Sequence, residues 1–282
     1  MTPVVAIIAP GAMGSAVGKR LSENGVEVRT SLAGRSAASA ARAKDAGMVA
    51  ASDEEIAAAD FLLSIVPPGE ALSLVERLAP VLTASNRKPV YVECNAVNPR
   101  SMERIAPAVA ATGAPLVDAG IIGPPPKAGS RTIFYASGTE AARFATLGQY
   151  GLDIRVMSDA IGDASAMKMS YAGITKGFTA LGAAMMLAAT RAGTADALHR
   201  ELSESQPALL GWLSRQMPRM YPKAYRWIAE MDEIAGFVGE DEAARAIFNG
   251  ATALYERIAD DFAGDNAETE ALTAFVKRGS PQ

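Results

Sequence analysis

Cysteine and histidine are nearly missing from this chain: Cys94 and His199 stand alone among 282 residues. One cysteine cannot close an intrachain disulfide, and one Cys with one His leaves too few ligands for a zinc site. A Ser-His-Asp triad would have to run through His199, which sits in a polar, exposed-looking helical stretch between Asp196 and Glu204. Aromatic residues make up only 6% of the chain. Charge is scarce as well, with 21% charged residues and a net charge of −4. No run of five Lys or Arg exists, so neither nucleic acid nor an anionic membrane is an expected partner. The opening MTPVVAIIAPGAMG has no cationic lead and does not read as a secretory signal. The longest nearly apolar run, Gly177 to Thr190, contains two glycines and is too short to span a bilayer. What is present is 49% hydrophobic residues, enough for one or two domains with a sizeable core. The expectation is a soluble, cytoplasmic protein with no metal site. Acid/base chemistry then falls to Lys, Tyr, Asp or Glu, or to a cofactor.

The first half alternates β-rich runs with Ala-rich runs. Strands are expected at Val4–Ile8, Val26–Leu32, Phe61–Val66, Pro89–Cys94, Leu116–Ile122, Thr132–Ser137 and Leu152–Met157. Helices are expected after the first strand as far as Asn24-Gly25, and at Ser36–Gly47, Glu70–Leu82 and Ser101–Ala111. Such alternation predicts a Rossmann-like, doubly wound and mostly parallel α/β sheet. After Met157 the pattern turns helical. Gly162–Gly193 reads as one long helix, apolar around much of its circumference and therefore buried, with a dimer interface as one place to bury it. Asp196–Met217, Tyr221–Val238, Glu240–Phe262 and Asn266–Lys277 read as further helices. The expected division is a nucleotide domain at 1–160, an interdomain helix at 161–193 and an all-α domain at 194–282 for substrate binding and dimerisation.

The first strand runs into Ala9-Pro10-Gly11-Ala12-Met13-Gly14, a G-x-G-x-x-G position whose first Gly is Ala. Gly11 lets the backbone approach a pyrophosphate, Gly14 lets the helix pack closely on the strand, and the helix N-terminus offers N–H groups to phosphate. The bland alternative is an ordinary strand–helix turn with two glycines. NAD sites place an acid about 20 residues past the last Gly. Here the corresponding stretch is Ser31-Leu32-Ala33-Gly34-Arg35-Ser36, with no acid. Arg35 beside hydroxyls suits a 2′-phosphate and points to NADP; the alternative is a solvated Arg35 with Ser36 capping the next helix.

Four stretches, in order, resemble the 3-hydroxyacid dehydrogenase and 6-phosphogluconate dehydrogenase superfamily. They are the Met-containing glycine loop at 9–14, Val66-Pro67-Pro68, Glu93-Cys94-Asn95-Ala96-Val97-Asn98-Pro99, and Gly162-Asp163-Ala164-Ser165-Ala166-Met167-Lys168-Met169-Ser170-Tyr171-Ala172. The tail is similar to a poorly characterised branch, with the imine reductases as near cousins. The resemblance implies an NAD(P)-dependent oxidoreductase, which Arg35 narrows to NADP, and the buried central helix suggests a homodimer. It places Val66 and Pro67 beside the cofactor, Asn95 beside nicotinamide and substrate, and Lys168 as general acid/base. Small and apolar neighbours would desolvate Lys168 and lower its pKa; otherwise it is a snorkelling lysine at the edge of a buried helix.

Two departures matter. Ile122 stands where the family's substrate-clamping Ser belongs, and Ala172 replaces its second Asn. A substrate more apolar than a small 3-hydroxy acid is expected against Gly120, Ile121, Ile122 and Gly123. Tyr171 is a candidate to restore polarity, and Trp227 and Met231 are candidates for an apolar lid, against core or dimer packing as the default. The reaction expected first is hydride transfer on a C–OH/C=O pair. Imine reduction stands second, and a non-catalytic NADP(H) sensor third.

Overall fold

A computed structural model of the chain describes residues 2–127 and 129–278. The chain divides into two compact units, 1–169 and 170–282.

The first unit is built on one eight-stranded sheet of order β3-β2-β1-β4-β5-β6-β7-β8. Its strands are β1 (Val4–Ile8), β2 (Glu27–Thr30), β3 (Val49–Ala50), β4 (Phe61–Ser64), β5 (Val90–Glu93), β6 (Leu116–Ile122), β7 (Ile133–Ser137) and β8 (Asp153–Ser158). Between them run α1 (Ala12–Ser22), α2 (Ala37–Asp45), α3 (Asp53–Ala57), α4 (Ala71–Ala84), α5 (Pro99–Ala110) and α6 (Ala141–Ala145). Every pairing is parallel except β6 with β7. The order reverses between β1 and β4, so the ligand crevice of a doubly wound sheet falls outside the carboxyl ends of those two strands.

The central strands are apolar on both faces because both faces are covered. Val5 and Ile7 of β1 enter one core with Val28, Leu63 and Val92. Ala6 and Ile8 enter the other with Leu62, Tyr91 and Leu78. This is how a parallel sheet reads in sequence: an unbroken apolar run rather than an alternation. The sequence reading passes over β3, α3 and α6, which have two, five and five residues. They are too short to carry a period. The capping box of Ser52 and Glu55, which begins α3, was a usable signal.

The second unit is helical: the remainder of α7 (Asp163–Arg191), then α8 (Ala195–Ser205), α9 (Pro207–Met220), α10 (Ala224–Phe237), α11 (Glu242–Ala263) and α12 (Ala267–Val276). The helix expected over Asp196–Met217 is two helices, broken at Gln206 with Pro207 opening α9. Pro is at home at the first turn of a helix and not within it. The segment from Tyr221 opens as a short 3₁₀ turn through Lys223 before α10. Inside this unit Lys176 pairs with Glu230, and its ammonium lies 5.2 Å from the Trp227 ring centroid. Trp227 meets Tyr255 edge-on at 5.2 Å, and the Tyr255 hydroxyl donates to the Lys176 carbonyl at 2.6 Å.

Part of the apolar circumference of α7 is not buried within the chain itself. Tyr171, Ile174, Phe178, Leu181 and Met185 are all exposed. Their alternating spacing of three and four residues puts them on one stripe of the helix. By length and composition alone α7 could cross a membrane.

Candidate functional site

The glycine loop joins β1 to α1. A Cβ at residue 14 would sit 2.0 Å from the Ala9 carbonyl oxygen, so only glycine lets α1 come this close to the strand. Gly11 is different. Its φ of −73° suits any residue, and a Cβ there would meet nothing within 4 Å. Open space therefore lies before the first turn of α1, where Pro10, Ala12 and Met13 complete the loop. That turn has no side-chain cap and no acidic residue, so its N–H groups are left to a ligand. These residues fit a pyrophosphate.

Ser31, Ala33, Gly34 and Arg35, at the end of β2, line a cavity of about 400 Å³. Val66, Glu70, Ser73, Leu74 and Arg77 form its other wall. Ser31 is buried and Arg35 exposed. Ser36 caps α2, its hydroxyl accepting from Ser39 N–H at 3.3 Å, so it is occupied as the bland alternative has it. Two further arginines belong to the surroundings. Arg77 reaches the cavity while paired with Asp53. Arg42 donates through Nε to the Pro10 carbonyl at 3.1 Å, tying α2 to the glycine loop. The sequence reading singled out neither, because each lies mid-helix in an ordinary polar face.

From the loop a bonded path leads to Lys168. Ala9 N–H donates to Ile65 O at 3.0 Å. Val66 N–H donates to Asn95 Oδ1 at 2.5 Å, and Asn95 Nδ2 donates to Ser64 Oγ at 2.7 Å. Lys168 Nζ donates to the Asn95 backbone carbonyl at 3.1 Å. Pro67 follows Val66 and is exposed. The part expected of the Asn95 amide is thus revised. It is buried and holds the turn after β4, and it is the Asn95 backbone carbonyl that meets the lysine.

Lys168 lies on the first turns of α7, which the sheet holds tightly. Asp118 of β6 accepts from Ser165 Oγ at 2.7 Å, Ser165 N–H at 2.9 Å and Gly162 N–H at 3.0 Å. Ser137 of β7 accepts from Ala164 N–H at 3.1 Å. The three bonds to Asp118, a longer one that Ser137 Oγ donates to it at 3.4 Å, and the helix dipole favour its carboxylate, yet burial outweighs them and pushes its pKa up. Gly120 has no side chain where a Cβ would come within 3.0 Å of the Lys168 Cβ, so β6 and the lysine helix approach closely. Beyond Gly120, Ile121 is buried, Ile122 half-buried and Gly123 exposed at the same carboxyl edge. Glu93, the last residue of β5, is buried there too, and its pKa is pushed up to about 7 by desolvation.

The residues expected in the second unit fare differently. Tyr171 is exposed on the apolar stripe. Met231 is fully buried in the helical unit and packs its core, which removes it as a lid residue. Trp227 packs on Tyr255 and Lys176. Sequence reasoning gave no site role to Ser64, and took Glu93, Asp118, Ser137 and Ser165 only as parts of motifs. The available signal was an acid inside otherwise apolar strands, VYVE and LVDAG.

Comparison with known proteins agrees with this geometry. Residues 189–258 match a domain of unknown function. A conserved protein of unknown function, whose structure is described as similar to 3-hydroxyacid dehydrogenases, shares 28% identity. The match covers 91% of this chain and 96% of that one, with a TM-score of 0.69. An uncharacterised 28.5 kDa protein of Methanothermus fervidus is 27% identical over 183 residues, 64% of this chain and 69% of its own. An imine reductase of Streptomyces aurantiacus shares the fold at 20% identity and a TM-score of 0.57, covering 97% of this chain and 98% of the other. Residues 4–149 match the NAD binding domain of 6-phosphogluconate dehydrogenase. With half of its length so matched, the chain belongs to that family, among the NAD(P)-dependent dehydrogenases.

Proposed function

We propose that this protein is an NADP-dependent oxidoreductase acting on a C–OH/C=O pair, with Lys168 as general acid/base. The observation that carries the reading is the bonded path from the glycine loop through Val66 and Asn95 to the Lys168 amine. It fixes an ammonium at the carboxyl edge of the sheet, beside the turn after β4. When bound, the cofactor supplies or takes the hydride. Lys168 Nζ gives a proton to the substrate oxygen in reduction and takes it back in oxidation. Asn95 O orients that amine. Gly120 to Gly123 offer the substrate an apolar wall without a clamping hydroxyl, which favours a substrate more apolar than a simple 3-hydroxy acid. The absence of an acid from 31–36 and the place of Arg35 on the cavity wall support NADP over NAD.

Imine reduction is the second reading, favoured by that apolar wall, with Lys168 or Tyr171 as proton donor. We also infer a soluble, cytoplasmic homodimer that covers the α7 stripe, since a row of exposed Ile, Phe, Leu and Met is costly in water.

NADPH oxidation against carbonyl and imine panels tests the reaction. Lys168→Met is expected to lower kcat at least about 100-fold on the true substrate, the lower end for losing a general acid. Near-normal turnover would sink the assignment of Lys168, and NADPH binding with no turnover on either panel would favour a sensor. Arg35→Ala is expected to raise the KM for NADPH far more than that for NADH; equal effects would show that Arg35 does not read a 2′-phosphate.

A further inference from the structure

Four strands place their polar residues in one row. In the register of the sheet, Ser64 of β4 pairs with Glu93 of β5, Glu93 with Asp118 of β6, and Asp118 with Ser137 of β7. All four are buried. Asp118 and Ser137 spend their oxygens on the start of α7. Glu93 spends one oxygen differently: Oε1 accepts from Asn95 N–H at 2.9 Å. Its Oε2 is buried with no hydrogen-bond partner among the described residues. A buried carboxyl with an unpaired oxygen is costly to the fold.

What depends on it is the turn that receives the lysine. Asn95 is held at three points: its N–H by Glu93, its Oδ1 by Val66 N–H, and its Nδ2 by Ser64. Its fourth group, the carbonyl, accepts from Lys168 Nζ. We propose that Glu93 is a positioning residue for Lys168, acting through the Asn95 turn, so that the state of its carboxyl is felt by the lysine amine. The acid/base role of that amine rests on the function proposed above; the coupling itself does not.

The groups facing Glu93 are Tyr91 and Cys94 on its own strand, Ser64 and Asn95 beside it, and Asp118 from β6. Lys168 reaches the same cluster from α7, its charge acting on Cys94. Burial and the Asp118 charge push the carboxyl up, and the bond from Asn95 N–H pulls it down. The balance puts the carboxyl's pKa at about 7.

The test follows Lys168 directly. The protein is reductively methylated with ¹³C, and the Lys168 signal is identified by its loss in Lys168→Arg. In the parent, that signal is expected to shift through an inflection near pH 7, reporting the Glu93 carboxyl. In Glu93→Gln the inflection is expected to vanish while the fold, followed by circular dichroism, is kept. Glu93→Asp withdraws the carboxyl by one methylene and is expected to displace the Lys168 signal at every pH. In turnover it is expected to lower kcat about tenfold with the KM for NADPH unchanged. A Lys168 titration curve that superimposes on the parent's in both variants would overturn the proposal. Lack of turnover in the parent would sink the oxidoreductase reading and leave this coupling measurable.

Discussion

The two units bury polarity in opposite ways. The sheet unit gathers Ser64, Glu93, Asn95, Asp118, Ser137 and Ser165 in its interior at one edge. The helical unit buries Thr179 and Thr269, leaves its Lys176–Glu230 pair partly open, and instead exposes the apolar stripe from Tyr171 to Met185. The sheet can bring distant residues into register, because parallel strands all end at one edge. A helix bundle distributes side chains around separate axes and gathers fewer of them. Buried polar groups are expensive unless satisfied, and the sheet unit satisfies most of its own through the start of α7 and the Asn95 turn. An exposed apolar stripe is the surface on which the proposed dimer would rest.

Removing Asp118 should disturb the sheet unit most. Asp118→Ala leaves the Gly162 and Ser165 donors of α7 without an acceptor. Each unsatisfied buried donor costs about 1–3 kcal/mol, so a loss of roughly 4 kcal/mol is expected in denaturant titration. A loss below about 1 kcal/mol would mean that water replaces the carboxylate and that the helix start is less tightly held than the geometry implies.

Glu93 gives the next largest effect, and its sign is fixed. Its folded pKa, near 7, lies above the value of 4.5 it would have free. Its stabilising share is therefore complete below that lower value and is lost as pH rises through 7. Glu93→Gln is expected to gain about 3 kcal/mol on the parent between pH 4.5 and 8. Parallel stability curves for the two proteins across that range would show that Glu93 ionises as if in water.

The smallest change in chain stability is expected from the helical unit. Phe178 is 54% exposed, so Phe178→Asp should alter stability by less than about 0.5 kcal/mol. Its effect should appear in sedimentation instead, as a shift from dimer to monomer. Unchanged sedimentation, or a monomeric parent, would remove the stripe as the dimer surface.

Much of the fold could be read from the sequence. The apolar run Val4–Ile8, the loop ending at Gly14 and the switch to helix near Gly162 each carry a local physical signature. Local signals also stopped short. The apolar circumference of α7 implied burial but not against what, because composition records hydrophobicity and not which neighbours exist. Met231 suited both core and lid from its type, and its zero exposure is a property of the helices around it.

The sequence by itself determined the alternation of strands and helices, the close packing at Gly14, the lack of an acid after β2 and the position of Lys168 on a helix. Each depends on residues near one another in the chain. Only the tertiary structure decided the row Ser64–Glu93–Asp118–Ser137, the use of the Asn95 carbonyl for the lysine, and the tie from Arg42 to the glycine loop. Those contacts join residues 19 to 73 positions apart. Strand register brings them together, and no local pattern in the chain encodes which rung of one strand will face which rung of the next.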